Sequence, residues 1–155
     1  MYDVRTEAGV VGTLLVHPKY YYHFETLKPE YFYERTNAVI FDVIKQILND
    51  NSEDVSDFSV YLRIAGKPSY EKQFTQSDID VQEYLDKLKL VATSDEDEYR
   101  ARCKKLIDHA FKRDSIEKLK ETIGYIETTK GSANEINMHI HDTIDKFSDE
   151  YIVGD

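Results

Sequence analysis

The sequence predicts an all-α fold, a small helical globular head over residues 1–93 followed by a long helical hairpin over 94–151. Three observations carry this. Apolar residues recur at spacings of three and four instead of alternating. The three prolines and half of the six glycines fall at the edges of these periodic stretches. From Asp95 to about Thr129 there is no proline and only one glycine, Gly124, which reads as one helix about three times the usual length of roughly 12 residues.

Thr6 to Val16 places Val10, Val11, Leu14 and Leu15 on a single helical stripe, which His17-Pro18 ends. Gly9 and Gly12 lie inside it. Each lowers helix propensity, so their presence predicts close approach of another helix or backbone. A second short helix is expected over Tyr20 to Leu27. Lys28-Pro29-Glu30 then opens a turn in which proline sits where its missing N–H does no harm, followed by the aromatic run Tyr31, Phe32 and Tyr33. Arg35 to Leu48 carries the strongest amphipathic pattern of the first half, with Val39, Ile40, Val43, Ile44, Ile47 and Leu48 on one side. This is a core helix. Asn49, Asp50, Asn51 and Ser52 stop it, since such side chains bond their own backbone in turns.

Val55 to Ala65 is expected to be helical, with Phe58, Tyr61, Leu62 and Ile64 as its apolar face and Gly66-Lys67-Pro68 as its end. Ser69 to Gln76 has no decisive pattern. Ser77 begins the next helix, with Asp78 and Asp80 in its first turn, where carboxylates complement the dipole. Its stripe is Val81, Tyr84, Leu85, Leu88 and Leu90 or Val91. Thr93-Ser94-Asp95 then interrupts the chain. The long helix shows two apolar tracks, first Tyr99, Cys103, Leu106 and Ala110, then Ile116, Leu119, Ile123 and Ile126. The slip between them near Arg113 and Asp114 marks a kink or a change of packing partner. Lys130-Gly131-Ser132 stops this helix and caps the last, Ala133 to about Tyr151, whose Ile136, Ile140, Ile144 and Phe147 are spaced by four, four and three.

A two-helix hairpin cannot bury such residues by itself. Paired with the hairpin of a second chain it makes a four-helix contact. Ile116, Leu119, Ile123, Ile126, Ile136, Ile140, Ile144 and Phe147 are therefore the expected dimer interface. The alternative is that the hairpin folds back on the head.

Charge argues against a polyanion as partner. Thirty acidic and 20 basic residues give a net charge of −10, a field that repels a phosphate backbone. Arg100, Arg102, Lys104, Lys105, Lys112 and Arg113 cluster, but they follow Asp95, Glu96, Asp97 and Glu98, and acid before base along a helix complements its dipole. Little or no direct DNA binding is expected. The 12 tyrosines, including Tyr20-Tyr21-Tyr22, are not interleaved with a basic track, so packing is preferred over base stacking. The single cysteine, Cys103, excludes an internal disulfide or a multi-cysteine metal site and sits with Tyr99, Leu106 and Ala110 on a core face. The N-terminus lacks the apolar run of a signal peptide, and no segment approaches the ~20 apolar residues that span a bilayer, so a cytoplasmic protein without a membrane partner is expected.

Chemistry is sparse. Neither G-x-x-x-x-G-K-S/T nor G-x-G-x-x-G occurs, so no nucleotide cofactor is expected. Of the five histidines only His139 and His141 are close, and two residues apart on a helix they point about 200° from each other, which does not serve one metal. Thirty carboxylates cannot nominate an acid–base pair by spacing. No catalytic, cofactor-binding or metal-ligating residue is assigned. A small helical enzyme and a standalone single-strand binder are the weakest readings.

Glu7-Ala8-Gly9-Val10-Val11-Gly12-Thr13-Leu14-Leu15, then Pro18, then Leu27-Lys28-Pro29-Glu30-Tyr31-Phe32-Tyr33, then Asn37 and Ile40-Phe41 with Ile44, resemble in order and spacing the N-terminal domain family of DnaB-type replicative helicases. That family reads roughly E-x-x-V-L-G-x-L-L, then a hydrophobic-K/R-P-E-x-F-Y turn, then a helix with histidine followed by I-F. Asn37 stands where histidine is usual. The resemblance is specific over Thr6 to Leu48 and architectural over Ser77 to Tyr151. The family's glycine-rich turn is missing between Ser52 and Gln76, although Tyr84-Leu85 followed by Leu88 resembles its Y-L-x-x-L helix. The resemblance implies a non-catalytic collar module that pairs through its hairpins, assembles as a hexamer built from a trimer of dimers, and receives primase or a helicase loader. It also implies that residues 152–155 begin a linker to a RecA-like ATPase motor beyond residue 155. The helicase-binding domain of a primase has a similar fold and is the alternative; the first-helix and proline-turn motif favours the helicase.

Overall fold

A computed structural model describes residues 2–151, and every regular element among the described residues is helical. In chain order these are α1 (Val4–Val16), α2 (Arg35–Asp50), α3 (Asp57–Ala65), α4 (Pro68–Thr75), α5 (Val81–Lys89), α6 (Glu96–Thr128) and α7 (Ala133–Tyr151), with 3-10 turns at Pro18–His23 and Pro29–Tyr31. The expected all-α fold, a helical head followed by a hairpin, is the one observed. The chain forms two compact units, residues 2–110 and 111–151. The division falls inside α6, close to the slip in its apolar pattern. The expected linker, 152–155, lies outside the described residues.

In the head, α1 begins at Asp3, whose carboxylate accepts hydrogen bonds from the backbone N–H of Arg5 at 3.0 Å and of Thr6 at 3.3 Å. Both glycines of α1 serve close approach. A Cβ on Gly12 would lie 2.0 Å from the Leu88 carbonyl oxygen of α5, and one on Gly9 would lie 2.4 Å from the Arg102 guanidinium of α6. Helix α1 packs on α5 and α2, and α2 packs in turn on α3 and α4. The core is drawn from all of them: Val10, Val11 and Leu14, Ile40, Phe41, Val43, Ile44 and Ile47, Val60 and Ile64, Phe74, Leu85 and Leu88 are buried. The early part of α6 adds Tyr99, Cys103, Leu106 and Ala110.

The start of α2 depends on a residue 27 positions earlier. Its N-cap, Glu34, makes no side-chain cap. The buried carboxylate of Glu7 instead accepts the N–H of Tyr33 at 2.8 Å and of Glu34 at 3.2 Å, and the Asn37 side-chain amide at 3.4 Å. Asn37 Oδ1 accepts from the Tyr84 hydroxyl, which accepts from Thr36 Oγ1 at 3.0 Å, so α5 is tied to the same network. At the far end Asn51 adopts the left-handed conformation, φ 52°, and its N–H bonds Ile47 O at 3.0 Å.

Three local expectations change, and one undecided stretch takes a definite form. The helix expected over Tyr20 to Leu27 is a 3-10 turn ending at His23, with Pro18 in its first turn; buried Leu27 anchors the connection that follows it. Pro68 opens α4 over the undecided stretch and buries Phe74, edge-on to Tyr84. Helix α5 starts at Val81, not Ser77, because Asp78 is left-handed, φ 54°, and Asp80 is the cap, accepting Gln82 N–H at 3.0 Å; Leu90 is left exposed. Helix α3 turns a different face inward. Ser56 and Ser59 form a capping box that fixes its start, Val60 and Ile64 pack against the core, and Phe58, Tyr61 and Leu62 are exposed.

Candidate interaction surface

The second unit is made of the later turns of α6 and of α7. Between them Gly131 N–H bonds Thr129 Oγ1 at 3.1 Å, and Ser132 caps α7 by accepting Glu135 N–H at 3.2 Å. The helices run antiparallel, fixed by rings at both ends. Phe111 stacks on Phe147 with centroids 5.2 Å apart and meets Tyr151 edge-on at 5.2 Å, and the Tyr151 hydroxyl donates to Asp114. Near the turn Tyr125 stacks on His139 at 3.8 Å.

The apolar residues of the expected interface lie mostly beside this line of contact. At about 100° per residue, Ile116, Leu119, Ile123 and Ile126 share an arc of about 80°, turned about 130° from Phe111, Asp114 and Tyr125, which touch α7. Leu119 is 60% exposed and Ile123 55%. On α7 the stripe of Ile136, Ile140, Ile144 and Phe147 adjoins the contact line: Phe147 touches Phe111, whereas Ile144 is 53% exposed. Ile136, Ile140 and Phe147 are half-buried, and none of the α7 residues is fully buried. Both stripes fall on the same rotational side of the contact line, so the hairpin has one apolar face. Its other side is polar, a shallow groove of about 220 Å³ lined by Lys118, Glu121, Thr122, His139, Thr143 and Lys146 among others.

Two large apolar residues of this unit fall outside the stripes that the sequence predicts. Phe111 sits in the slip between the two tracks of α6 and belongs to neither periodicity. Met138, off the α7 stripe, is exposed.

Within the basic cluster, Arg102 meets Glu98 at 2.6 Å and Lys105 meets Asp3 at 2.9 Å. The Lys105 ammonium holds the Asp3 carboxyl at about 2, well below its usual range. Cys103 is buried beside Tyr99, and burial pushes its thiol up to about 12. Among the described residues no group of three or more His, Cys, Asp or Glu is placed to hold a metal ion, and no helix is long and apolar enough to cross a membrane.

No curated protein and no solved structure matches the chain significantly. A family model for the DnaB-like helicase N-terminal domain does, over residues 1–97. That span holds α1 to α5 and the start of α6, including the glycines of α1 and the Glu7–Asn37–Tyr84 network. It covers well over half of the 155 residues, and the chain belongs to the DnaB-like helicase N-terminal domain family.

Proposed function

We propose that this chain is a non-catalytic interaction module of a replicative DNA helicase, which pairs with a second copy through the apolar face of its hairpin and recruits primase or a helicase loader. The observation that carries the pairing is the exposed row Ile116, Leu119, Ile123 and Ile126 beside Ile140 and Ile144. A contiguous apolar face of this kind marks a contact with another molecule. Spacings of three, four and three along α6 suit knobs-into-holes packing, and two such faces opposed make a four-helix contact with two-fold symmetry. A trimer of dimers needs a second, different interface in addition.

Primase or loader recruitment comes from the family. The helicase-binding domain of a primase loses support, since the matching family is that of the helicase itself. A net charge of −10 leaves DNA a minor partner at most, and two of the clustered cations, Arg102 and Lys105, are already held by acids. The test is light scattering across a concentration series. Self-association that weakens in Ile140→Ala and Phe147→Ala supports the reading, and an unchanged oligomer mass in both variants removes it.

A further inference from the structure

Helix α3 is apolar on two sides, and the head buries only one. Val60 and Ile64 face inward, while Phe58, Tyr61 and Leu62, about 140° around the helix, are 72%, 43% and 49% exposed. The capping box fixes this rotation, so the exposed face is a settled feature of the fold. It contributes nothing to the core, and apolar surface gathered in this way marks a contact. Phe58 and Leu62 floor a shallow groove of about 470 Å³ whose rim carries Glu53, Asp54 and Arg63. At those same two acids it meets a second groove, of about 600 Å³, lined in part by Val16, Tyr22, Leu48 and Val55.

The rim is acidic. Asp50, Glu53, Asp54 and Asp57 fall within one short stretch that holds no lysine or arginine. Arg63 is shared between Asp50 at 2.9 Å and Glu53 at 3.4 Å, and Lys89 is held by Asp57 at 2.6 Å. Among the described residues the Asp54 carboxylate has no cationic partner. Four carboxylates against Arg63, Lys89 and Lys19, the last in the adjoining groove, still leave the patch negative. A second copy would oppose one acidic rim with another, and a nucleic acid would be repelled in the same way. A cationic partner fits.

We propose that the exposed face of α3, with the turn that leads into it, is the docking site for an amphipathic helix of a partner protein that carries lysine or arginine along its edge. Its apolar side lies on Phe58 and Leu62, and its cations meet Asp54 and Glu53. The site rests on the recruitment half of the function proposed above and is independent of hairpin pairing.

The experiment is an NMR titration of the full chain with two synthetic helical peptides, one built of leucine and lysine and its counterpart of leucine and glutamate. The variants are Phe58→Ala with Leu62→Ala, and Asp54→Lys. All three positions are exposed, so circular dichroism and Tm should not change. The leucine–lysine peptide should shift the backbone amides of residues 53–65. Its affinity should fall tenfold or more in the double alanine variant and several-fold in Asp54→Lys, and the glutamate peptide should not bind. Absence of binding to the wild type, equal affinity for the variants, equal binding of the glutamate peptide, or shifts confined to residues 111–151 would overturn the proposal. So would a fall in solution mass of the double alanine variant, which would assign the face to a contact between copies. A hairpin variant, Ile123→Asp with Ile144→Asp, should bind the peptide undiminished, so failure of hairpin pairing and failure of docking read out separately.

Discussion

Gly12 faces the carbonyl oxygen of Leu88 so closely that a Cβ would stand 2.0 Å from it. Helices α1 and α5 therefore meet backbone to backbone, and the obstructing atom cannot swing aside. Gly12→Ala should destabilise the head by about 3 kcal/mol, the upper end of overpacking costs. Gly9→Ala meets the far end of a flexible side chain, Arg102, and should cost less, about 1 kcal/mol. At Gly124 a Cβ would meet nothing within 4 Å, and alanine there should gain about 0.5–1 kcal/mol. Thermal melts of the three variants check this order.

Glu7→Ala should lower stability by about 1–3 kcal/mol in urea unfolding, since it leaves the part-buried N–H groups of Tyr33 and Glu34 without their acceptor. Glu7→Gln should recover only part of this, because its amide presents hydrogens to one of those donors. Equal stability of Glu7→Ala and wild type would remove Glu7 as the organiser of the α2 start.

Tyr99 is fully buried, and among the described residues its hydroxyl has no oxygen or nitrogen partner and only the weakly bonding Cys103 thiol beside it. Tyr99→Phe should then be neutral or stabilising by up to about 1 kcal/mol, because an unsatisfied group is removed with little loss of packing. A loss above about 1 kcal/mol would mean that the hydroxyl has a partner in solution.

Cys103, with its thiol pushed up to about 12 and closed to solvent, should resist a disulfide reagent in the native state and react only as fast as the head opens. Immediate labelling at neutral pH would place it elsewhere.

Asp3 links α1 to Lys105, and its carboxyl is held at about 2 against an ordinary 3.8. A carboxyl lowered by folding stabilises the native state fully above its unfolded value, and that contribution disappears as pH falls from about 4 toward 2. The residue is close to the surface, so the effect is small. Asp3→Asn should flatten the stability profile over that window, and an NMR titration of the wild-type carboxyl should give a midpoint near the lower value.

The long elements were legible because periodicity and stop signals agreed. The stripe of α2 ends at Asn49 to Ser52 and its helix at Asp50, and α7 follows Lys130-Gly131-Ser132 as expected. Short elements gave less. In a nine-residue helix such as α3, Phe58, Tyr61 and Leu62 make as good a stripe as Val60 and Ile64, and only the capping box and the shape of the α2 surface choose between them. Ser77 and Asp80 are both good caps, and the left-handed turn at Asp78 decided for the second. Glu7 stood out as part of a motif, but its partners lie 26 and 27 residues away and cannot be found by spacing. On the hairpin the apolar rows could be read, whereas their position beside the contact line depends on the ring pairs Phe111–Phe147 and Tyr125–His139.

Sedimentation equilibrium of the wild type and of Ile123→Asp with Ile144→Asp tests hairpin pairing most directly. Both side chains are more than half exposed, so the variant should keep its fold. Hairpin pairing predicts twice the 18.1 kDa chain mass or a higher multiple for the wild type, and a single chain mass for the variant with unchanged helical circular dichroism. A wild type that stays monomeric at high concentration, or a variant as associated as the wild type, would contradict it.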